Sequence, residues 1–454
     1  MNKNEIIRLG ITALTNEGFG FGKYDGMAVF VPFTAVGDEI ETKVVKVNKS
    51  YAYAKVENIL SPSPDRIENL CPAFGKCGGC AFRHITYEAE LCAKENFVKE
   101  AFEKIGGLKP DFLPIVPSDD TERYRNKLEM PVGAYENGGL YCGFFASRSH
   151  RIIPVEDCLL QPEIFSEITR FITEKARELK ISAYNEERHQ GVIRHIYLRK
   201  AVNVKNGGIC CVIVARKKAP EFTRLARAIS EKFPGITGVV LNINPEKTNV
   251  ILGEKEIVLC GKAEISDEMC GVPVEISPKS FYQVNTRAAE KIYRKAAEFA
   301  EPKGKVILDL YCGAGTIGLS MAKDAAKIIG AEIIPEAVEN AKANAERLGI
   351  SNAEFICADA GKAAKTLSEQ KISPDVILLD PPRKGCSEET LSACAQMKPE
   401  RIVMISCNPA TAARDCKRLS ELGYKLNAVQ GFDLFPRTKH VECIMCMQRM
   451  EQTV

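Results

Sequence analysis

The chain has 454 residues, 45% of them hydrophobic, and its 62 basic and 59 acidic residues leave a formal net charge of +3. A chain of this length exceeds what one core usually organises, so we expect two or three domains. No stretch approaches the roughly 20 apolar residues of a membrane span, and the first residues lack the apolar region of a secretion signal. We therefore expect a cytoplasmic protein. The near-balanced charge neither favours nor excludes a nucleic-acid partner.

Residues 1–60 contain short β-rich runs separated by turns with Gly and Asn. This pattern predicts a small β-barrel as the first domain. Three aromatic residues, Phe19, Phe21 and Tyr24, lie among glycines and a lysine. They could stack on single-stranded RNA or simply cover a small barrel. The connector at residues 61–64 carries two prolines, which stiffen it and predict a domain boundary.

Residues 61–270 mix strand and helix patterns, including a helix near residues 87–105, and we expect an α+β central domain. This domain begins with three closely spaced thiols and contains a plausible fourth in a distant loop: Cys71, Cys77, Cys80 and Cys158. Four thiolates suit either an iron–sulfur cluster or zinc. Two glycines before Cys80 let the loop wrap a bulky ligand, which favours the cluster. The spacing is not that of radical S-adenosylmethionine enzymes, so we expect a structural or RNA-positioning role.

Two short segments of the central region combine basic and aromatic side chains, residues 124–127 and 148–151. They could contact phosphates, or they could form a solvated strand face. Most other cysteines are scattered through apolar segments, as reduced thiols of a cytosolic protein are. We expect Cys357 to be one such inert core thiol.

Residues 271–454 alternate strand and helix patterns, which predicts a parallel sheet covered on both faces. Ligands of such Rossmann-like domains gather at the carboxyl ends of the strands. The predicted strands are residues 305–310, 326–332, 375–380 and 401–406, and the predicted helices are residues 335–348, 387–397 and 409–422.

The first of these strands leads into a glycine-rich loop, residues 309–318. Gly313 and Gly315 allow the backbone to approach a nucleoside closely. Glu332, at the end of the next strand, could bind both ribose hydroxyls of either NAD or S-adenosylmethionine (SAM). Asp309 favours SAM, because a carboxylate suits its sulfonium and amino groups but repels a pyrophosphate.

Asp380 ends the third strand and is followed by two prolines, which stiffen the loop and hold the carboxylate at the cofactor's edge. Methyltransferases of exocyclic amines use a similar loop in which an aromatic residue follows. Arg383 occupies that place here, which favours a ring carbon as the methylated atom.

Cys407 follows the fourth strand, and Pro409 is suited to the first position of the next helix. A thiol at such an exposed elbow is a candidate nucleophile. Glu442 is a candidate base, but it could equally form an ion pair with Arg437 or Lys439.

Taken together, these motifs resemble the RNA uracil-5-methyltransferase family, and most closely its 23S rRNA branch with an N-terminal TRAM domain and an iron–sulfur cluster. The resemblance covers essentially the whole chain and includes the motif at residues 277–285. It implies an OB-like TRAM barrel, a central domain with a [4Fe-4S] cluster, and a class I methyltransferase domain. It also implies roles for single residues: SAM binding by Gln283, Tyr311, Glu332 and Asp380, nucleophilic attack by Cys407, proton abstraction by Glu442, and cluster ligation by Cys71, Cys77, Cys80 and Cys158.

The reaction implied is methylation of C5 of a 23S rRNA uridine through a covalent Cys–C6 adduct, by a monomer. Three alternatives remain open at this point: a tRNA uracil-5-methyltransferase, an NAD-dependent oxidoreductase, and a non-catalytic RNA-binding or redox-sensing module.

Overall fold

The computed structural model describes residues 1–450, and it divides into two compact units that are not consecutive stretches of the chain. The first unit comprises Met1–Thr121, Pro381–Ala395 and Met404–Val454, of which residues 451–454 lie outside the described part. The second unit comprises Glu122–Asp380 and Gln396–Val403. The domain boundaries near residues 60 and 270 therefore stay predictions.

The first unit opens with a six-stranded sheet. Its strands are β1 (Ile6–Gly10), β2 (Ala13–Leu14), β3 (Phe19–Tyr24), β4 (Met27–Pro32), β5 (Glu39–Val47) and β6 (Tyr51–Ser61), in the spatial order β1-β5-β6-β4-β3-β2. Apolar residues at alternate positions, such as Val29 and Val31, are fully buried and form its core.

The alternation of glycine and phenylalanine in β3 explains how this small sheet curls. Gly20 and Gly22 are buried, and an added Cβ would collide with Thr34 Oγ1 at one and with the Gly10 carbonyl at the other. The Thr12 backbone N–H donates to the Phe21 carbonyl at 2.8 Å, which brings the chain after β1 against β3. The glycines thus permit close approach inside, while the phenylalanines lie on the outer face.

Helix α1 (Tyr87–Glu100) follows in the first unit, where a helix was predicted. The Thr86 side chain caps its start by accepting a hydrogen bond from the Ala89 backbone N–H at 3.3 Å. The helix continues into a π-helical turn at Ala101–Gly106 and ends at Gly107, which adopts a left-handed conformation. Strand β7 (Asp111–Val116) comes next.

The second unit contains a seven-stranded sheet in the order β10-β9-β8-β11-β12-β13-β14. Its elements are β8 (Lys127–Ala134), β9 (Leu140–Phe145), β10 (Ile152–Pro154), α2 (Glu163–Glu178), β11 (Ile193–Lys200), β12 (Ile209–Ala215), α3 (Glu221–Lys232), β13 (Ile236–Ile243) and β14 (Lys255–Gly261). Buried apolar residues of α2 and α3, among them Phe165 and Phe222, pack against this sheet and share a core with it.

The second unit also contains the parallel strands that the alternating pattern predicted. After the pair β15 (Ile265–Met269) and β16 (Val272–Ile276) come α4 (Thr286–Ala300), β17 (Val306–Leu310), α5 (Thr316–Met321), β18 (Lys327–Glu332), α6 (Pro335–Arg347), β19 (Ala353–Cys357), α7 (Ala360–Glu369) and β20 (Val376–Leu379). Within this unit the parallel order is β19-β18-β17-β20. The strands are almost wholly buried runs, as expected of a parallel sheet covered by helices.

The remaining elements are α8 (Glu388–Gln396), β21 (Arg401–Ser406), α9 (Pro409–Glu421), β22 (Tyr424–Phe432) and β23 (Glu442–Arg449). In the first unit, β22 pairs with β23 in antiparallel fashion and with β7 in parallel fashion. All three predicted helices of the C-terminal region, and its predicted strands, are confirmed within one or two residues at each end.

The prediction for Cys357 was wrong. The residue is the last of β19 and is exposed, with its thiol donating to the Ile333 carbonyl at 3.8 Å. Because Cys357 is the last residue of its strand, its side chain can lie outside the core even though the run contains apolar residues. The sequence of the run does not show whether its last residue is buried. Among the helices of residues 1–450, none has the length and apolar character needed to cross a membrane.

Candidate active site

The glycine-rich loop joins β17 to α5 in the second unit and has an unusual backbone. Tyr311 has a φ of 65°, Gly313 of 55° and Gly315 of 78°, all in the left-handed region. For a tyrosine this conformation costs on the order of 1–3 kcal/mol, and such outliers cluster at functional sites. A Cβ at Gly315 would lie 2.9 Å from the Phe355 ring, so that position also requires glycine for space. The loop can therefore bring its backbone close to a ligand.

Two predicted acidic residues organise this loop. Asp309 is 1% exposed, and its Oδ2 accepts a hydrogen bond from the Gly318 backbone N–H at 3.0 Å, which fixes the start of α5. Glu332 Oε2 accepts from the Gly313 backbone N–H at 3.1 Å. Its Oε1 accepts from the N–H of Ile333 at 2.8 Å. Glu332 thus links the glycine loop to the end of β18.

Tyr293, which the sequence analysis missed, brings the remaining predicted cofactor residues together. This buried side chain of α4 hydrogen-bonds with the side chain of Gln283, and the nearby charges of Asp380 and Asp309 act on it. Burial raises the pKa of Tyr293, and those two carboxylates add to the rise. No pattern singles out one tyrosine on the apolar face of a helix, and only the fold shows what it contacts.

Two aspartates of this pocket have pKa values far above those of exposed aspartates. Burial, together with the charges of Asp380 and Glu332, raises the pKa of Asp309 to about 7. Burial likewise raises the pKa of Asp380 to about 7. Asp309 Oδ1 is buried without a hydrogen-bond partner. Clustered carboxylates of this kind attract a cation.

These residues fit SAM, whose sulfonium and amino groups are both cationic. The three acidic residues supply negative charge, and the loop of Tyr311, Gly313 and Gly315 supplies backbone at close range. All seven predicted cofactor residues lie in the second unit.

The segment that carries Gln283 is held by the neighbouring sheet. Asn126, which is 1% exposed, donates through Nδ2 to the Gln283 carbonyl at 2.8 Å and to Thr286 Oγ1 at 2.9 Å. The buried Arg199 donates to the Ser280 carbonyl at 2.7 Å. For residues 124–127 the sequence left open a contact with phosphate or a solvated strand face. The burial of Asn126 and these bonds contradict both for this residue, since its donors are directed into the protein.

The second basic segment, residues 148–151, is exposed in the structure. His150 Nδ1 lies 2.8 Å from Glu186 Oε2. A contact of this segment with phosphate stays a prediction.

Cys407 lies in the first unit between the end of β21 and the start of α9, at the predicted strand-to-helix elbow. The Asn408 side chain caps the helix by accepting from the Ala410 N–H at 3.1 Å, and Pro409 takes the first helical position. Asn408 Nδ2 also donates to the Arg383 carbonyl at 3.2 Å. The elbow is therefore tied to the loop that follows Asp380, and Cys407 is half-buried there.

Glu442 is the first residue of β23, which begins close to Ser406, the last residue of β21. The thiol of Cys443 donates to the Ser406 carbonyl at 3.5 Å, so the neighbours of the two predicted catalytic residues touch. Burial raises the pKa of Cys443, and the charges of Glu442 and Cys407 contribute to the rise. Glu442 itself is only 6% exposed.

The two cations considered as ion-pair partners for Glu442 have other partners. Arg437 pairs with Glu90, with 3.6 Å between Nη1 and Oε2. Lys439 pairs with Glu17 at 2.6 Å. These contacts weaken the interpretation of Glu442 as a plain ion-pair residue.

The predicted metal ligands are divided between the units. Cys71, Cys77 and Cys80 lie in the first, and Cys158 lies in the second. Burial raises the pKa of Cys77, and the neighbouring Cys71 thiol adds to the rise. The Gly79 N–H donates to Cys77 Sγ at 3.4 Å. The closeness of the Cys71 and Cys77 thiols fits two of the four ligands that a cluster would need. Across residues 1–450, however, no group of three or more candidate side chains is arranged to hold a metal ion.

Comparisons with known proteins agree with this arrangement. Residues 86–450 match the family model described as tRNA (Uracil-5-)-methyltransferase, and residues 2–56 match the TRAM domain. The chain is 41% identical to an uncharacterized RNA methyltransferase of Halalkalibacterium halodurans, over 99% of this chain and 98% of that protein. It is 40% identical to one of Clostridium tetani, over 98% of this chain and 97% of the relative.

A solved structure matches along nearly the whole length. It is the tRNA (uracil-54, C5)-methyltransferase of Pyrococcus abyssi in complex with S-adenosyl-L-homocysteine, with 27% identity, a TM-score of 0.77, and coverage of 97% of this chain and 99% of that one. The family match extends over most of the chain and includes the glycine loop, Cys407 and Glu442. The chain therefore belongs to the SAM-dependent RNA uracil-5-methyltransferase family and carries an N-terminal TRAM domain.

Proposed function

We propose that this enzyme methylates C5 of a uridine in RNA through a covalent bond between Cys407 Sγ and C6 of the uracil ring. The observation that carries the proposal is the contact between Cys443 and Ser406, because it brings the backbone next to the half-buried Cys407 close to the backbone next to the buried Glu442. A nucleophile and a base are what substitution at a ring carbon needs.

The reaction has a physical reason for its covalent step, since C5 of uracil is too weak a nucleophile to attack a methyl sulfonium directly. The Cys407 thiolate forms a bond to C6, and the electrons of the C5–C6 double bond shift to give an enolate. C5 then forms a bond to the methyl group. When bound, SAM supplies that methyl group and leaves as S-adenosylhomocysteine.

Glu442 completes the reaction by taking the proton from C5. The electrons of the C–H bond restore the C5–C6 double bond and expel the Cys407 thiolate, so the enzyme is regenerated. A positioned base contributes roughly 10² to 10⁴ in rate. Without it, the covalent adduct should persist.

Cofactor binding is proposed for seven residues of the second unit: Gln283, Asp309, Tyr311, Gly313, Gly315, Glu332 and Asp380. Asp380 and Glu332 are proposed as direct contacts of the bound cofactor. Asp309 supports the pocket by holding the start of α5 and by its charge.

The outer face of the N-terminal sheet supports RNA binding by the TRAM domain. We name as the aromatic face the five half-buried rings Phe19, Phe21, Phe30, Tyr51 and Tyr53. Phe30 is central, because its ring centroid lies 5.8 to 5.9 Å from those of Phe21, Tyr51 and Tyr53. Aromatic side chains on such a sheet stack with the bases of single-stranded RNA.

Lysines lie beside these rings. Lys46 is the strand partner of Tyr53, and Lys43 is the partner of Lys55 on the same side of the sheet. Lys23 continues the row of Phe19 and Phe21 along β3. Surfaces that bind single-stranded nucleic acid typically combine aromatic side chains, which stack on bases, with basic side chains, which contact phosphates. Because C6 of a stacked base is inaccessible, the target uridine must be single-stranded or flipped out.

The RNA substrate is proposed as 23S rRNA, on the resemblance of the TRAM and cysteine segments to that branch. A tRNA substrate is the competing proposal, favoured by the similarity to the Pyrococcus abyssi enzyme, which acts on uracil 54 of tRNA.

The cysteines also carry a proposal: Cys71, Cys77, Cys80 and Cys158 would hold a [4Fe-4S] cluster, with zinc as the alternative. Iron and sulfide analysis of anaerobically purified protein, with its visible absorption spectrum, tests this directly.

The experiment that tests the function is methyl transfer from radiolabelled SAM to rRNA and tRNA fractions, followed by nucleoside analysis. We expect 5-methyluridine in rRNA. Label in tRNA alone would change the proposed substrate to tRNA, and label in neither fraction would contradict the proposed activity.

A cytoplasmic location and a monomeric state remain proposals, and light scattering coupled to size exclusion tests the monomeric state.

A further inference from the structure

A buried cation, Lys94 of α1, lies behind the segment that leads to the proposed base. Its side chain has no exposed surface, and Nζ donates to Glu90 Oε1 at 2.7 Å and to Asp433 Oδ1 at 2.8 Å. A third hydrogen bond goes to the Phe435 carbonyl at 3.1 Å. A lysine is seldom buried without strong partners, because desolvation of the ammonium is costly.

The charges of this cluster balance. Lys94 and Arg437 face Glu90 and Asp433, since Arg437 Nη1 lies 3.6 Å from Glu90 Oε2. Tyr87 adds a hydrogen bond from its hydroxyl to Asp433 Oδ2 at 2.9 Å. We call these five side chains the lysine network. All of them belong to the first unit, with three on α1 and two on the segment after β22.

The network holds that segment at alternate residues, through the side chain of Asp433 and through backbone atoms of Phe435 and Arg437. Asp433 and the Phe435 carbonyl bind Lys94, and the Arg437 backbone N–H donates to Glu90 Oε1 at 2.7 Å. Arg437 has a φ of 68°, in the left-handed region. A residue other than glycine keeps such a conformation only where its surroundings impose it, and this strain is common at functional sites.

The segment connects directly to Glu442. Phe432, the residue before Asp433, is the strand partner of Glu442 at the open end of the β22–β23 pair. Thr438 Oγ1 donates to the Phe435 carbonyl at 2.7 Å and accepts from the His440 N–H at 3.3 Å. Hydrogen bonds therefore run from Lys94 along the segment to within two residues of Glu442.

We propose that Lys94 is a positioning residue for proton abstraction: it holds residues 433–438 in the conformation that directs the Glu442 carboxylate at C5 of the substrate. The inference rests on the proposed function, because it takes Glu442 as the base. The proposed role of Lys94 is to orient the base, since a catalytic group misplaced by about 1 Å can lower the rate on the order of 10²-fold.

The test separates proton abstraction from methyl transfer. RNA carrying tritium at C5 of uracil is reacted in single turnovers, and release of tritium is compared with transfer of the methyl group. In Lys94→Met, we expect tritium release to slow by on the order of 10²-fold relative to methyl transfer. Covalent protein–RNA adduct should accumulate, while affinity for S-adenosylhomocysteine stays unchanged.

Three further variants keep the test independent of folding. Lys94→Met/Glu90→Leu removes both members of the buried ion pair and keeps the net charge of the network, and an apolar replacement of a buried ion pair is often tolerated. The double variant lacks the hydrogen bonds from Lys94 and Glu90 to the segment after β22, so tritium release should still be slow. Tyr87→Phe removes the hydroxyl bond to Asp433 together with the acceptor of the Ser118 N–H, and we expect a smaller slowing in the same step. Lys94→Arg should restore part of the rate.

The matched control is Arg66→Met, which breaks the ion pair of Arg66 with the buried Asp38 (2.7 Å) in the same unit. That pair anchors the N-terminal sheet and does not contact residues 433–438, so normal tritium release is expected. An unchanged ratio of the two rates in the Lys94 double variant and in Tyr87→Phe would overturn the positioning role. If Glu442→Gln also failed to accumulate adduct, the assignment of the base itself would fall.

Discussion

The thiol of Cys443 donates a hydrogen bond to the carbonyl oxygen of Ser406, with 3.5 Å between sulfur and oxygen. Each of these residues is the chain neighbour of a proposed catalytic residue, Glu442 in one case and Cys407 in the other. The bond forms inside the first unit and is buried. It therefore holds the backbone next to Cys407 close to the backbone next to Glu442, two residues that are 35 positions apart in the sequence.

Replacing the proposed nucleophile should abolish methylation without affecting the cofactor. In Cys407→Ala no C6 adduct can form, so methyl transfer should fall below detection. Isothermal titration should still show normal affinity for S-adenosylhomocysteine, because the proposed cofactor residues lie in the second unit. Cys92→Ala is the control, since Cys92 is an exposed thiol on α1, and it should keep full activity. Turnover retained by Cys407→Ala would remove Cys407 from the mechanism.

Replacing the proposed base should trap the reaction after methyl transfer. Glu442→Gln keeps the size of the side chain but cannot accept the C5 proton as a carboxylate does. We expect turnover to slow roughly 10²- to 10⁴-fold and a methylated protein–RNA adduct to accumulate on denaturing gels. Normal turnover with no adduct would make Glu442 a structural residue.

Loss of Asn126 should weaken cofactor binding rather than chemistry. Its side chain donates two hydrogen bonds to the segment that carries Gln283 and the start of α4. At about 1 kcal/mol each, their removal in Asn126→Ala should raise the KM for SAM about 30-fold and leave kcat near normal. Asn244→Ala is the matched control, because buried Asn244 also donates twice, to the carbonyls of Val250 and Ile251. Equal effects of both variants on KM would contradict the assignment.

The aromatic face should contribute to RNA affinity. Phe30→Leu removes the ring that contacts three others while keeping an apolar side chain in place. One lost stacking contact is worth about 1–3 kcal/mol, so fluorescence titration should show RNA binding about tenfold weaker. The rate at saturating RNA should be unchanged. Wild-type RNA affinity in Phe30→Leu would mean that the rings only cover the sheet.

Cofactor binding should depend on pH near neutrality. The pKa of Asp309 and of Asp380 is raised to about 7, from an ordinary value of 3.8. Between these values the folded apoprotein retains protons that the unfolded chain has lost, so these groups make it less stable as the pH rises through that window. A cationic ligand favours the ionised carboxylates. SAM affinity should therefore increase from about pH 6 to about pH 8, with proton release on binding.

The measurement for this pH dependence is calorimetry in two buffers that differ in ionisation enthalpy. S-adenosylhomocysteine lacks the sulfonium charge, so its affinity should change less over the same range. An identical pH dependence for both ligands would show that the carboxylates do not respond to the sulfonium.

The parallel strands and the elbow at Cys407 could be predicted because their signals are local. Buried parallel strands read as short apolar runs, and Pro409 marks a helix start whatever its surroundings. The glycine loop and Glu332 follow from the same β–loop–α pattern, and the structure joins them through the Gly313 N–H.

The supporting residues could not be predicted, because their partners are distant in the sequence. Glu90 and Lys94 look like an ordinary surface pair one helical turn apart. Their burial depends on Asp433, more than 300 positions later, and on the pairing of β22 with β7. Asn126 and Tyr293 are single polar residues in apolar patterns, and only the fold reveals that both contact the Gln283 segment.

The most direct test of the covalent mechanism is to react the enzyme with SAM and RNA that carries 5-fluorouridine in place of uridine. Fluorine at C5 cannot be removed as a proton, so the intermediate should be trapped after methyl transfer. We predict a denaturation-resistant complex of protein, RNA and labelled methyl group, absent in Cys407→Ala. Methylation of ordinary RNA with no trapped complex on the fluorinated RNA would contradict a Cys407–C6 adduct.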